Sequence, residues 1–415
     1  MVVGGGGREH AIIKKIKENK KVSKIYALPG NGAISFDADC VDIKATDIEN
    51  IVDFAAKNDI DFAVVAPDDP LVLGAIDALE AKGIKCFGPK KDAAIIEGSK
   101  VFSKNLMKKY NIPTAEYNVF DNAAKAIEYI ENAPMPTVIK ADGLALGKGV
   151  IIANTKDEAK KAVESIMEDK IFGASGNNIV IEEFLTGPEV SVLTFTDGKT
   201  LIPMVSSMDH KRALDGDKGL NTGGMGTIAP NPFYTKEIEK ECMDKIFIPT
   251  INAMNMENRT FKGCLYFGLM LTDKGPKVIE YNCRFGDPET QVVLPLLESD
   301  LLDIFMAVAD GNLKNANVRF KNEHACCVVM ASDGYPSHYE SGYEISMPKD
   351  KNIYGAGTKL KDGKLISSGG RVLGVTETGN TLKEAIDKAY DTVKQISFTN
   401  EFYRKDIGKR ALEVK

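Results

Sequence analysis

The feature that most constrains this chain is the texture of its first hundred residues, where short apolar runs alternate with amphipathic helical stretches. Met1-Val2-Val3 runs into four glycines, Gly4 to Gly7, and then into a stretch carrying Ile12, Ile13 and Ile16. Lys24–Leu28 reads as a second strand, ending at Pro29-Gly30. Asp47 is placed to cap a helix carrying Ile48, Ile51, Val52 and Phe54. Phe62–Ala66 reads as a buried strand stopped by Pro67; a helix near 75–82 and a strand at 85–87 complete the pattern. Strands separated by helices are not joined as hairpins, so the alternation predicts a parallel sheet with helices on both faces.

Near residue 98 the texture changes. A helix over 100–109 is followed by hairpins at Thr137–Asn154, Glu189–Val205 and Cys264–Asn282, the last two turning at Asp197-Gly198 and at Asp273–Pro276. Ile179–Phe184 reads as a strand, and helices are expected over Lys156–Met167 and Thr235–Met254. Beyond about residue 322 come a strand at His324–Ala331, short strands with glycine turns over Tyr354–Thr376, and an amphipathic helix over Leu382–Ile396. The chain is therefore expected to be multidomain, α/β first and α+β after.

Charge narrows the function. Lys and Arg total 53 against 59 Asp and Glu, a net charge of −6, which argues against general affinity for nucleic acid or an anionic membrane. Phosphate binding must come from local positive charge. No apolar run approaches the roughly 18 residues that span a bilayer, and the N-terminus has neither the basic start nor the apolar stretch of a signal peptide. The seven cysteines are odd in number, form no CxxC, and sit mostly in apolar segments such as Cys264-Leu265-Tyr266-Phe267. They read as reduced core thiols of a cytoplasmic protein, and four scattered histidines make a His/Cys metal cage unexpected.

Five segments carry chemistry. A glycine turn before a helix, as at Gly4–Gly7 with Arg8, lets backbone N–H groups approach a phosphate, although such turns also form without a ligand. The acid expected roughly 20 residues on in a dinucleotide fingerprint is missing from Ala27-Leu28-Pro29-Gly30-Asn31, which counts against a dehydrogenase. Lys140 and Lys148 flank a loop too glycine-rich to pack a core; it either folds over a polyphosphate or is a solvated hairpin, and it is no Walker A. Along Lys277–Asp287, strand alternation is expected to put Val278, Glu280 and Asn282 on one face and Ile279 and Tyr281 on the other. A carboxylate and an amide oxygen side by side are hard donors suited to Mg²⁺, with Arg284 just beyond to meet a carboxylate or acyl phosphate; the bland alternative is an exposed strand edge. Glu182-Glu183-Phe184-Leu185 leave a strand into a linker whose backbone can meet an adenine edge, with Glu189 near the ribose. Asp209-His210-Lys211-Arg212 and Gly219–Gly226 are too polar for a core and suit a substrate loop. His210 invites a general-base role, but a lone histidine among charges more often has a supporting one.

Taken together, GGGGREHA (4–11), PGNGA (29–33), EGSK (97–100), KADGLALGKGV (140–150), IEEFLTGPEVS (181–191), DHKR (209–212), NTGGMG (221–226), VIEYNCRFGDPETQ (278–291), GGRVLGVT (369–376) and YRKDIGKRA (403–411) closely resemble one family. It is the phosphoribosylamine–glycine ligase (glycinamide ribonucleotide synthetase) family of ATP-grasp enzymes, and the stretches keep its order across nearly the whole chain. The resemblance implies a Rossmann-like, preATP-grasp domain over 1–97, an ATP-grasp domain over 98–321 with a lid at about 118–187, and a small mixed-β domain over 322–415. It implies ATP, Mg²⁺ or Mn²⁺, and the small substrates glycine and 5-phosphoribosylamine, joined through glycyl phosphate. A cytoplasmic monomer without nucleic-acid or membrane partners is expected.

The same resemblance assigns roles. Lys100, Lys140 and Lys148 fall to the ATP phosphates, Glu182, Glu183, Phe184 and Leu185 to the adenine linker, Glu189 to the ribose, and Glu280 and Asn282 to the metal. Arg284 and Asp209 fall to the glycine carboxylate and ammonium. Gly6, Arg8, Gly30, Asn31, Lys211, Asn221, Gly286 and Asp287 fall to phosphoribosylamine. Residues 140–150 are expected to close over nucleotide. Four departures stand out: a first strand cut to Met1-Val2-Val3 and so short or weakly paired, Asp68 where a glutamate is usual, Leu220 for a proline and Leu146 for an alanine. The nearest rival is another ATP-grasp carboxylate–amine ligase, separated only by residues 4–11, 29–33 and 209–226. A non-catalytic nucleotide binder would not need Glu280, Asn282, Arg284 and the loop lysines together.

Overall fold

The structure, a computed structural model, describes residues 1–144 and 149–414. Its first sheet is built from β1 (Val2–Gly4), β2 (Tyr26–Pro29), β3 (Asp39–Cys40), β4 (Phe62–Val65) and β5 (Lys85–Phe87), all parallel, in the order β3-β2-β1-β4-β5. β1 is short but not weakly paired. It is central and fully buried, and Val2 faces Ala27 on one side and Val64 on the other. The Asp47 carboxylate accepts the Asn50 amide at 3.3 Å and so caps the helix Ile48–Lys57. The strand order reverses beside β1, which places the Gly4–Gly7 turn and Asp68 around the crevice where such sheets bind ligands.

A second sheet, ordered β6-β9-β7-β8, is made of β6 (Tyr117–Phe120), β7 (Thr137–Ala141), β8 (Val150–Ala153) and β9 (Ile179–Glu183). It carries its own core, with Ala126, Ile130, Ile139, Val163, Ile166 and Ile181. The expected helix over 156–167 is α-helical only to Val163 and finishes as a π turn, Glu164–Glu168. Next come β10 (Glu189–Thr196), β11 (Leu201–Pro203), β12 (Met208–Asp209), β13 (Arg212–Leu214), β14 (Lys218–Asn221), β15 (Gly226–Ala229), β16 (Gly263–Thr272) and β17 (Gly275–Asn282). Of these, β11-β10-β16-β17 form a third sheet.

The β16–β17 hairpin corrects the expected face of Val278. Gly268 pairs with Glu280 but Leu269 pairs with Val278, so Ile279 is an extra residue, a bulge. The bulge breaks the alternation. Val278 and Tyr281 both enter the core, while Ile279, Glu280 and Asn282 line a cavity.

The chain closes with β18 (His324–Ser332), β19 (Ile353–Gly355), β20 (Thr358–Lys361), β21 (Lys364–Ser367), β22 (Arg371–Gly379) and β23 (Glu401–Phe402). The last large sheet runs β12-β15-β18-β22-β19, so β12 joins it through β15, and β15 pairs with a strand that begins at His324. Phe87, Phe195, Phe285 and Phe305 pack together, with 3.9 Å between the stacked rings of Phe87 and Phe305. They weld the first sheet to the third.

Candidate functional site

One cavity of about 1030 Å³ opens between the second and third sheets and reaches the C-terminal segment. Lys100, Lys140, Glu182, Glu183, Phe184, Leu185, Glu189, Asp209, Lys211, Asn221, Glu280, Asn282, Arg284 and Asp287 all line it. Gly30 and Asn31 do not; they line a second cavity of about 440 Å³. Gly6, Arg8 and Gly286 sit behind the Asp287 side of the main one, with Arg8 Nη1 donating to Phe285 O at 3.0 Å. Lys148 and Leu146 lie outside the described residues.

Lysines gather on one wall. Lys100 Nζ donates to Gly143 O at 2.5 Å, and Lys140 Nζ donates to Ile279 O at 3.1 Å and lies 3.0 Å from Glu182 Oε1. Burial lowers the pKa of Lys100, against the pull of Glu280. A third cation, Lys104, has its Nζ 2.9 Å from Glu182 Oε2, and burial pushes it down to about 8. Sequence reasoning missed Lys104. Its spacing of four from Lys100 on one helix, which puts both on the same face, is the signal that was there to find.

Glu280 faces these lysines. Burial raises its carboxyl, but Lys211, Lys140, Lys100 and Arg284 outweigh that and hold it below the usual carboxylate range. Asn282 is 8 % exposed and its Nδ2 is buried without a hydrogen-bond partner among the described residues. The Glu280 carboxylate and the Asn282 amide oxygen, both on residues that line the cavity, are hard donors that fit a divalent cation whose remaining ligands are phosphate and water. Among the described residues no three His, Cys, Asp or Glu converge on one point, so a metal cage made by protein alone is not present.

Arg284 closes the next wall. Its Nη2 lies 3.1 Å from Glu97 Oε1 and 4.0 Å from Asp68 Oδ2, so the Asp68 departure bears directly on this guanidinium. Its Nε is buried and unpartnered among the described residues. Burial raises Glu97, with Arg284 opposing, and Glu97 is anchored by accepting the Cys283 amide at 2.7 Å.

Asp209 accepts the His210 amide at 2.7 Å; burial first, then the neighbouring Glu289 charge, lift its pKa well above the ordinary value. Glu289, unassigned from sequence, accepts from Ser191 and Tyr266 hydroxyls at 3.3 Å each. Lys211 Nζ lies 2.7 Å from Glu189 Oε2, which joins residues expected on different ligands. Asp287 meets Arg371 Nη2 at 3.3 Å, and Arg371 also donates to Gly223 O and Asp287 O. Arg371 stands only within a matching stretch, as do Arg404, Lys405, Lys409 and Arg410; the last four line the cavity. His210 supports rather than reacts: Nδ1 lies 3.0 Å from Gly226 O, Nε2 accepts the Gly408 amide at 3.1 Å, and burial holds its pKa at about 4.

Three expected substrate residues have structural roles. Asn31 Nδ2 donates to Gly5 O and Gly355 O at 2.9 and 2.7 Å, while Oδ1 accepts from Ala33 N, Ile34 N and Thr358 Oγ1. Gly6 N donates to Glu9 Oε2 at 2.6 Å. Gly30 has φ +70°, and a Cβ there would lie 2.4 Å from Cys40 Sγ. Glu183 also turns away, with Oε1 2.6 Å from Lys277 Nζ.

Comparison with known proteins follows this geometry. The phosphoribosylglycinamide synthetase models match the chain in order: N domain over 1–97, ATP-grasp (A) domain over 98–290 and C domain over 325–410. The phosphoribosylamine–glycine ligase of Caldanaerobacter subterraneus is 47% identical over 411 residues, covering 98% of this chain and 99% of the relative. That of Clostridium acetobutylicum is 48% identical, with 99% of each covered. The crystal structure of the Thermotoga maritima phosphoribosylamine–glycine ligase superposes with a TM-score of 0.86 at 34% identity, covering 98% of this chain and 99% of that one. A biotin carboxylase domain from Hydrogenobacter thermophilus, solved with magnesium ADP and bicarbonate, shares the fold alone: TM-score 0.74 at 16% identity, covering 97% and 91%.

Proposed function

The chain belongs to the phosphoribosylglycinamide synthetase family, and on that premise we propose that it joins glycine to 5-phosphoribosylamine at the expense of ATP, giving glycinamide ribonucleotide, ADP and phosphate. It is an ATP-dependent ligase of the ATP-grasp type, acting in purine biosynthesis. The observation that carries the residue-level reading is convergence. Lys100, Lys140, Glu280, Asn282 and Arg284 come from three separate segments and line one cavity.

A glycine carboxylate oxygen attacks the γ-phosphorus of ATP, the bond to the bridging oxygen breaks, and ADP leaves. The amine of phosphoribosylamine then attacks the carbonyl of glycyl phosphate and expels phosphate. Both steps bring anions together or release one, so positioning and positive charge matter more than a strong base. In this reading Lys100 and Lys140, which line the cavity, neutralise phosphates. We assign Arg284, whose Nε has no partner among the described residues, to the glycine carboxylate and Asp209 to the ammonium; both line the cavity. Glu280 and Asn282 would hold Mg²⁺ or Mn²⁺, which supplies charge stabilisation at the transferring phosphoryl group.

Seven free thiols support a cytoplasmic setting, and no helix among the described residues is long and apolar enough to cross a membrane. The test is phosphate release from ATP with Mg²⁺ and glycine. Release that depends on phosphoribosylamine is expected; a much higher rate with another acid and amine would overturn the substrate assignment.

A further inference from the structure

Behind the adenine linker lies a buried charge cluster whose third member, Lys104, the ligation chemistry leaves unused. Lys104 is 2 % exposed, on the helix Lys100–Lys109. Its Nζ lies 2.9 Å from Glu182 Oε2 and donates to Thr114 Oγ1 at 2.7 Å; Thr114 in turn donates to Val278 O of β17 at 2.8 Å. Glu182, at the end of β9, is 4 % exposed. Its Oε1 lies 3.0 Å from Lys140 Nζ yet receives no directed hydrogen bond. The cluster therefore ties the helix and the second sheet to the strand that carries Glu280 and Asn282.

An ammonium buried this deeply is costly, and an apolar side chain of similar volume packs there without that cost. What an apolar chain cannot do is grip one carboxylate oxygen. With Oε2 held by Lys104 and Oε1 buried beside Lys140 Nζ, the carboxylate of Glu182 is a fixed acceptor in a residue that lines the cavity at the start of the linker. A fixed acceptor takes the exocyclic amine of adenine and repels the carbonyl that guanine carries at the same ring position.

We propose that Lys104 is a positioning residue for nucleotide selection: by fixing Glu182 it makes the site accept a 6-aminopurine nucleotide over a 6-oxopurine one. The inference rests on the ATP site proposed above. The geometry also makes Thr114 its partner, since Thr114 fixes the second direction of the ammonium.

The experiment is steady-state kinetics of the full chain with ATP and with GTP at saturating glycine and phosphoribosylamine, for wild type, Lys104→Met and Thr114→Val. Leaving a buried acceptor unfixed should raise the KM for ATP about tenfold in Lys104→Met, with kcat changed less than about threefold, and cut the ATP-over-GTP preference about tenfold. Thr114→Val should move both quantities the same way by less. A merely structural role would lower the melting temperature or the active fraction while leaving the KM for ATP and the preference at wild-type values; that result overturns the proposal. If Lys104→Met does not fold, Thr114→Val with unchanged KM and preference overturns it equally. A wild type that uses neither nucleotide would overturn the ATP-site reading and this inference with it. A wild type that uses ATP beside an equally selective Lys104→Met would overturn the inference alone.

Discussion

Glu280 and Asn282 show how much depends on single side chains. Removing the Glu280 carboxylate leaves an amide that cannot hold a divalent cation against water, so Glu280→Ala should abolish turnover while leaving the melting temperature close to wild type; unchanged kcat at saturating Mg²⁺ would contradict this. His210 gives a prediction of a different kind. Its folded pKa of about 4 lies below the ordinary 6.5, so the unfolded chain binds a proton that the folded chain refuses. Stability should therefore fall as pH drops from 6.5 toward 4 and gain no further slope from this group below that. Urea unfolding of His210→Gln should lack that part of the pH dependence; an unchanged slope against wild type would contradict the neutral, bonded histidine. Asn31 accepts or donates five hydrogen bonds between the first turn and the C-terminal strands. Asn31→Ala should cost about 2–3 kcal/mol in urea unfolding with the m-value unchanged, whereas a shift below 0.5 kcal/mol would show that the network carries little. At this scale, residues whose chemistry is unusual for their segment were readable. Lys100, Lys140, Glu280 and Asn282 announce themselves as charges or amides in glycine-rich or strand-end stretches. Glu289 and Arg371 did not, because their roles exist only in contacts with Tyr266 and Asp287, which no local pattern records.

Among the elements, the β16–β17 hairpin decides where the chemistry sits. Its turn and both strands were legible from alternation and from Asp273–Pro276, but the bulge at Ile279 was not. A bulge adds one residue to one strand and leaves no mark in composition, so a period-2 reading put Val278 on the wrong face. The bulge sets Glu280 opposite Gly268, where an added Cβ would stand 3.1 Å from Glu280 Cγ. Gly268→Val should push Glu280 out of place and weaken apparent Mg²⁺ affinity about tenfold or more in kinetic titrations. An unchanged Mg²⁺ titration would mean that the glycine serves the strand alone. The helices Lys156–Val163 and Lys236–Cys242 begin at or within one residue of the expected starts, capped by Thr155 and Thr235. The π turns that follow them have no comparable sequence signal, since they answer to tertiary packing.

On the scale of the whole molecule, the parallel first sheet was legible because period and turn residues are local properties. The recruitment of β12 and β15 into the C-terminal sheet was not, because strand partners a hundred residues apart leave no trace in one sequence. That recruitment places Asp209 and Lys211 on the rim of the same cavity as Arg404 and Lys405. The central claim is that lysines on one wall and two oxygen donors on the other hold a single triphosphate between them. The most direct measurement is a crystal structure with ADP and Mn²⁺, read in anomalous density. The account predicts one manganese peak bonded to Glu280 and Asn282 oxygens and to a diphosphate oxygen, with Lys100 and Lys140 on the same diphosphate. A peak ligated elsewhere, or nucleotide bound away from these four residues, would contradict it.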